Sequence, residues 1–276
     1  MKKWYAVIGD PIEQSMSPAM HDEWFQENGI DASYLPIHVK ADHLENAIES
    51  LKRLGCSGWN VTVPHKSAII PFIDKLDESA RRMNAVNTVK VLEDGTLYGT
   101  NTDGRGFVRS LQEIGCVSGK IDEVLIIGAG GAANGISFAL EAAGFGPLSF
   151  TNRTVDKAQQ LAANFKDGAA LSLSDAESSI SKFGLIVQTT SVGMNFAQSG
   201  MPMNPNGIAD GTVVSDIIYN PLETEFLRTA RDSGGNIING IGMFVHQGAL
   251  AFELWTGVYP DTKKMITSIS TKLGGN

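Results

Sequence analysis

The chain has 276 residues, 42% hydrophobic and 19% charged, which suits two apolar cores and leaves no tract that reads as disordered. With 30 Asp and Glu against 22 Lys and Arg the net charge is −8, which weighs against nucleic acid but leaves open an anionic small molecule held by a few placed cations. Cys56 and Cys116 form no paired motif and read as reduced thiols of a cytoplasmic protein.

The first ten residues hold a short apolar run broken by Gly9 and Asp10, so neither a signal peptide nor a membrane span is expected there. Tyr5–Ile8 reads as a first strand. Ser17-Pro18 starts a helix that runs to about Gly29. His43–Leu54 reads as a second helix, with Leu44, Ile48, Leu51 and Leu54 on one face and Gly55 as its stop. Trp59–Val63 is a short strand ending at Pro64. Val86–Leu92 and Thr96–Tyr98 flank the hairpin signal Asp94-Gly95. A second series of strands follows at Val124–Ile127, Leu148–Thr151, Leu185–Thr189, Val213–Ile218 and Asn236–Ile238, with helical stretches between. A last helical region spans Met243 to about Trp255. Alternation of this kind predicts an α/β protein of two domains with mostly parallel sheets. The domain change falls near Gly104, with a return to the first domain near residues 238–242, and glycines at 104 and 240 are where a hinge would be placed.

Gly128-Ala129-Gly130-Gly131-Ala132-Ala133 fits G-x-G-x-x-A directly after an apolar strand and before a helix. Gly128 permits the tight turn, Gly130 lets the backbone approach a pyrophosphate, and small Ala133 permits close helix–strand packing. The free N–H groups of the helix start would face the phosphates. A glycine-rich turn that binds nothing is the bland alternative. At the end of the next strand, Asn152-Arg153-Thr154 stands where NAD sites usually carry an acid for the ribose hydroxyl. An arginine there pairs with a 2′-phosphate, which favours NADP; a solvated surface arginine is the alternative.

Three polar clusters precede the turn. Ser15 and Ser17 flank Met16 at a helix start, where two hydroxyls can hold a carboxylate or Ser17 can simply cap the helix. Asn60 and Thr62 alternate with Val61 and Val63, which puts both on one strand face and implies a lined cleft or a satisfied core network. Lys66 lies just beyond that strand, where α/β folds place ligands, although a lysine is commonly a solvated surface residue; His65 reads as structural. Asn87, Asn101 and Asp103 can be site residues or turn residues. No histidine pair has metal-ligand spacing, and no hydrolase nucleophile motif occurs, so neither metal catalysis nor covalent hydrolysis is expected.

In order and spacing, these stretches resemble the shikimate dehydrogenase family. The matching segments are Gly9–Pro18, Asn60–Lys66, Ala85–Thr88, Asn101–Gly104, Gly128–Ala133, Asn152–Thr154, Asp216–Pro221 and Gly240–Gln247, spread over nearly the whole chain. The resemblance implies reversible reduction of 3-dehydroshikimate to shikimate by NADPH, in aromatic amino-acid and chorismate biosynthesis. It implies a catalytic pair at Lys66 and Asp103, a substrate carboxylate held by Ser15, Ser17 and Tyr219, and ring hydroxyls met by Asn60, Thr62, Asn87 and Gln247. For NADP it implies Gly128, Ala129, Gly130, Gly131, Ala132, Asn152, Arg153 and Thr154, with Ile217, Gly240 and Met243 by the nicotinamide and Glu78 near the cofactor. Gln14 stands where histidine is usual in the family, Asn84 where glycine is frequent, and Asn134 where arginine or serine is. Residues 1–104 with about 240–276 are expected to form the substrate and catalytic domain, and 105–239 a Rossmann-like NADP-binding domain. The partner expected is the small-molecule substrate, with neither nucleic acid nor membrane, in a monomer or homodimer. A quinate/shikimate dehydrogenase using NAD and a non-catalytic NADPH-binding sensor are the competing readings.

Overall fold

The computed structural model describes residues 2–194 and 199–274. The chain divides into two compact units, Met1–Thr102 with Gln247–Met265 and Asp103–His246 with Ile266–Asn276.

The first unit carries β1 (Lys3–Gly9), α1 (Ser17–Glu27), β2 (Ala32–His38), α2 (Leu44–Arg53), β3 (Gly58–Val61), α3 (His65–Ala68), β4 (Lys75–Leu76), α4 (Glu78–Met83), β5 (Thr88–Val91) and β6 (Leu97–Thr100). Its six-stranded sheet runs β2-β1-β3-β5-β6-β4. β1 is parallel to both neighbours, whereas β5 is antiparallel to β3 and β6. The hairpin forms as expected, with Gly95 at φ +83° and Asp94 Oδ1 accepting from the Thr96 N–H. One face packs Ala6, Ile8, Trp59, Val61 and Val89 against Leu44, Ile48 and Leu51 of α2. Leu54, expected on that helix face, is 72% exposed because the helix ends at Arg53. The strand expected over Trp59–Val63 stops at Val61. Val63 is 66% exposed rather than buried, since Pro64 cannot donate to a ladder and the chain turns into α3 at once.

The second unit carries α5 (Asp103–Glu113), β7 (Val124–Ile127), α6 (Gly131–Ala142), β8 (Leu148–Thr151), α7 (Val155–Ala162), β9 (Ala169–Leu171), α8 (Leu173–Ser178), β10 (Leu185–Gln188), β11 (Val213–Asp216), α9 (Glu225–Asp232) and β12 (Asn236–Ile238). α10 (Ile241–Thr256) and α11 (Thr262–Gly274) follow. Every strand pair here is parallel, in the order β12-β11-β10-β7-β8-β9. Numbered within this sheet, that is 6-5-4-1-2-3, the doubly wound order read from its other edge. β7 and β10 are buried along their whole length, as strands covered by helices on both faces must be. The order reverses between β7 and β10, and it is at the carboxyl ends of the strands flanking such a reversal that open sheets of this kind bind their ligands. No helix among the described residues is long and apolar enough to cross a membrane.

Candidate active site

In the first unit, β1 and β3 run side by side, with Ile8 opposite Val61. The loops at their carboxyl ends are tied together by Asp10 N–H to Val63 O (3.0 Å) and Thr62 N–H to Ile8 O (2.9 Å). Ser15 lies on one of these loops and Ser17 opens the helix after it; Thr62 lies on the other, with Lys66 on α3 just beyond. Ser17 does not cap α1: Met16 occupies the cap position, and its side chain makes no cap hydrogen bond. Ser15 Oγ instead accepts from the Ser17 N–H, the first of α1, at 3.3 Å, which draws the two serines together at the helix start.

Asn60 and Asn87 are brought together in a buried network. Asn60 Oδ1 accepts from the Tyr34 hydroxyl at 2.6 Å, and its Nδ2 donates to Asn87 O (3.1 Å) and Thr88 Oγ1 (3.0 Å). Asn87 Oδ1 accepts from Thr88 Oγ1 (2.8 Å) and from the Thr102 N–H (2.9 Å). A satisfied core network is therefore part of what these asparagines do. Lys66 is half-buried at the start of α3, and its carbonyl accepts from the Val86 N–H at 2.7 Å. Ser67 Oγ donates to Asn84 O, so residues 84–88 are clasped to the loop that carries Lys66. Asn84 sits in the left-handed region at φ +48°, closing α4. Glycine adopts that conformation without strain and asparagine with little, which accounts for this substitution. His65 is structural: its Nε2 lies 2.6 Å from Val39 O and the residue is buried.

Asp77 caps α4, and Ser79 donates to the Asn101 carbonyl, fixing the exit strand toward Thr102. Asn101 itself donates to Ala85 O at 3.0 Å. Glu78, between Asp77 and Ser79, is exposed and pairs with Arg82 at 3.2 Å on the surface of α4. Gln247 lies on α10 beside Gly248, whose missing side chain leaves room for Met20 of α1.

In the second unit the glycine turn sits at the reversal of strand order. Gly128 has φ +114°, and a β-carbon there would stand 2.5 Å from Thr189 Oγ1 at the end of β10. That position needs glycine for the fold itself. Gly130 and Gly131 differ. Neither has a left-handed backbone, and no protein atom lies within 4 Å of a β-carbon placed on either. Neither strain nor internal packing calls for glycine at these two positions, as expected where a ligand's phosphates approach the backbone. The twelve-residue α6 starts at Gly131 and aims its unpaired N–H groups into the same space. Buried Ala133 packs α6 onto the sheet. The residues present thus fit a dinucleotide.

Arg153 is exposed just past β8, and no carboxylate pairs with it among the described residues. Asn152 Nδ2 donates to Thr154 O at 3.0 Å, bracing the turn that presents Arg153. Asp103 opens α5, where the helix dipole favours a carboxylate. Gly104 and Gly240, expected as hinge positions, are glycines for another reason. A β-carbon on Gly104 would strike the Gly135 carbonyl of α6, and one on Gly240 the Ile217 carbonyl. Ile217 and Gly240 are thereby in contact, and Met243 packs on the same apolar cluster as Ile217.

Asp216, at the end of β11, is fully buried, and burial pushes its carboxyl up to about 6. It accepts from the Ile218 N–H (3.0 Å) and from Thr224 Oγ1 (2.8 Å), which fixes the loop bearing Ile217 and Tyr219. Tyr219 meets the Phe244 ring at 5.1 Å, and burial raises its phenol. The sequence reading passed over Tyr34, Thr88, Thr102 and Asp216 as separate contributors. Three of these lie inside or beside motifs it quoted; Tyr34 gave no signal.

A doubly wound parallel sheet with an open glycine turn at its switch point, joined to a second α/β unit rich in buried amides, defines a two-domain, dinucleotide-dependent α/β protein. Family models match residues 7–89 (shikimate dehydrogenase substrate binding domain), 112–217 (shikimate/quinate 5-dehydrogenase) and 240–269 (shikimate 5′-dehydrogenase C-terminal domain). The chain belongs to the shikimate dehydrogenase family. A relative from Lysinibacillus sphaericus (strain C3-41), named shikimate dehydrogenase (NADP(+)), is 53% identical over 276 residues, covering 100% of both chains. Shikimate 5-dehydrogenase from Thermus thermophilus, solved with NADP(H) and shikimate, superposes with a TM-score of 0.86 at 35% identity, over 96% of this chain and 98% of that one. Quinate dehydrogenase from Corynebacterium glutamicum, solved with NAD, gives 0.87 at 29% identity, over 98% and 99%.

Proposed function

We propose that the protein catalyses the reversible NADPH-dependent reduction of 3-dehydroshikimate to shikimate, on the route to chorismate and the aromatic amino acids. The observation that carries this reading is the likeness to the Lysinibacillus enzyme along the full length of both chains. In this reading, residues 1–104 with about 240–276 bind substrate and perform catalysis, and residues 105–239 hold NADP. The enzyme acts in the cytoplasm as a monomer or homodimer, on a small-molecule substrate.

Ser15 and Ser17, with Tyr219, hold the substrate carboxylate. Asn60, Thr62, Asn87 and Gln247 meet the ring hydroxyls. The backbone of Gly128, Ala129, Gly130, Gly131 and Ala132 holds the pyrophosphate, and Asn152, Arg153 and Thr154 hold the 2′-phosphate. Ile217, Gly240 and Met243 shape the nicotinamide pocket, and Glu78 stands near the cofactor. When bound, NADPH supplies the hydride for the ketone carbon. The ketone oxygen then gains negative charge and needs a proton. Lys66 donates the proton from its Nζ ammonium to that oxygen. Asp103 orients the ammonium and accepts from a neighbouring hydroxyl.

A quinate/shikimate dehydrogenase is the second reading, favoured by the likeness to the Corynebacterium quinate enzyme. The test is absorbance at the NADPH band with shikimate or quinate, each offered NADP or NAD. Turnover of shikimate with NADP is expected. Faster turnover of quinate with NAD supports the second reading. No turnover with either acid overturns both and favours a cofactor-binding sensor.

A further inference from the structure

The polarity of Asn60 is set before any ligand arrives. A backbone carbonyl can only accept, so the Asn60 atom 3.1 Å from Asn87 O is the nitrogen. That nitrogen spends its second hydrogen on Thr88 Oγ1, whose own hydrogen goes to Asn87 Oδ1. The Asn87 amide is fixed in the same manner, because the Thr102 N–H can only donate to it. Asn60 Oδ1 must then face Tyr34, and the phenol must be the donor. The network runs in one direction, from Tyr34 through Asn60 and Thr88 to Asn87. Tyr34 is held for this task from two sides. Its own N–H donates to Asp22 Oδ1 at 2.9 Å, and its ring lies flat against His21. Both amide hydrogens of Asn60 and one of its oxygen lone pairs are committed, which leaves one acceptor lone pair.

Resting on the proposed function, we infer that Tyr34 is a positioning residue: by donating to Oδ1 of an amide whose polarity Asn87 and Thr88 already fix, it aims the one remaining lone pair of Asn60, so that the substrate group facing Asn60 is a hydroxyl donating its hydrogen. A keto oxygen offers only lone pairs and is rejected at this position. Asn60 therefore meets a ring hydroxyl that the reaction leaves unchanged, and it helps to exclude bound orientations that would place the ketone there.

The test is a cycle between protein and ligand. KM is measured for shikimate, 4-deoxyshikimate and 5-deoxyshikimate with the parent chain and with Tyr34→Phe, which keeps the ring on His21 and removes only the hydroxyl. Tyr34→Phe is expected to raise KM for shikimate about tenfold. With the analogue that lacks the hydroxyl facing Asn60, the same substitution should change KM by less than about twofold, because no donor remains to be aligned. KM for NADP should not move. Equal penalties for shikimate and both analogues would make Tyr34 a merely structural residue and overturn the inference. Should Tyr34→Phe not fold, Thr88→Val withdraws the partner on the other side of the same amide and carries the same expectation. Shikimate turnover by the parent chain is the control: its absence overturns the functional reading, whereas equal penalties in its presence overturn the role of Tyr34 alone.

Discussion

The imidazole of His21 lies flat on the phenol ring of Tyr34, with centroids 4.3 Å apart and planes 4° from parallel. Trp24, Phe25, Phe252 and Trp255 surround the same imidazole, and neither of its nitrogens has a hydrogen-bond partner. Burial alone pushes its pKa down to about 3. In the unfolded chain a histidine titrates near about 6.5. The stability tied to neutral His21 is therefore complete above about pH 6.5. It is lost as pH falls from there toward 3, by up to about 1.4 kcal/mol per unit. Asp216 slopes the other way, since its raised pKa removes stability as pH climbs from about 4 to 6. Comparing His21→Phe with its parent cancels that second slope. Urea unfolding followed by tryptophan fluorescence should show the variant gaining on the parent between about pH 7 and pH 5, by on the order of 2 kcal/mol. An unchanged difference at the two pH values would mean that His21 does not titrate as described.

Two glycines of one turn should fail differently. Gly128→Ala forces a left-handed backbone and a clash with Thr189, so loss of soluble, folded protein is expected. Gly130→Ala meets no protein atom and should melt with the parent, while KM for NADPH rises at least about tenfold as the phosphates lose their approach. A Gly130→Ala enzyme with normal KM would place the cofactor elsewhere.

Under the proposed role of Arg153 in holding the 2′-phosphate, the two nicotinamide cofactors should respond differently to its loss. Arg153→Ala should raise KM for NADPH by about 10–100-fold and leave KM for NADH nearly unchanged, because only the former carries the phosphate that the guanidinium pairs with. Comparable effects on both cofactors would return Arg153 to the status of a surface residue.

Lys66→Ala should lower kcat by about 10²–10⁴-fold with a far smaller change in KM, the signature of a group that acts on the reacting oxygen. Steady-state rates at saturating shikimate and NADP decide this. A near-normal kcat would remove Lys66 from the chemistry.

The second sheet was almost fully legible in the sequence. Val124–Ile127, Leu148–Thr151 and Asn236–Ile238 have the bounds expected; the first two show as apolar runs because parallel strands covered on both faces are buried throughout. β2 was not legible. It is an edge strand with Pro36 inside and with Leu35 46% exposed, so its pattern does not alternate cleanly. β4 has only two residues, and β9 is Ala169-Ala170-Leu171, with no β-branched residue to mark a strand. In the candidate site, Asn60 and Asn87 stood out as amides among apolar neighbours. Tyr34 did not, because its partner lies 26 residues away and an aromatic residue in a strand carries no mark of a hydroxyl with a task. The caplessness of Ser17 was hidden for a similar reason: Ser-Pro at a helix start looks the same whether or not the serine caps it.

The indole N–H of Trp255 donates to Val89 O at 2.9 Å, and Gly58 of β3 is bare where that ring lies. The same tryptophan stacks on Tyr5 of β1 at 4.8 Å. A ribosome has therefore made about nine-tenths of these 276 residues before the first unit can close its aromatic core. Until then, the sheet of β1, β3 and β5 waits with an open apolar face, while every strand of the second sheet has already been made. The first unit is thus held open across the synthesis of the whole second sheet, exposed to chaperones and proteases in the interval.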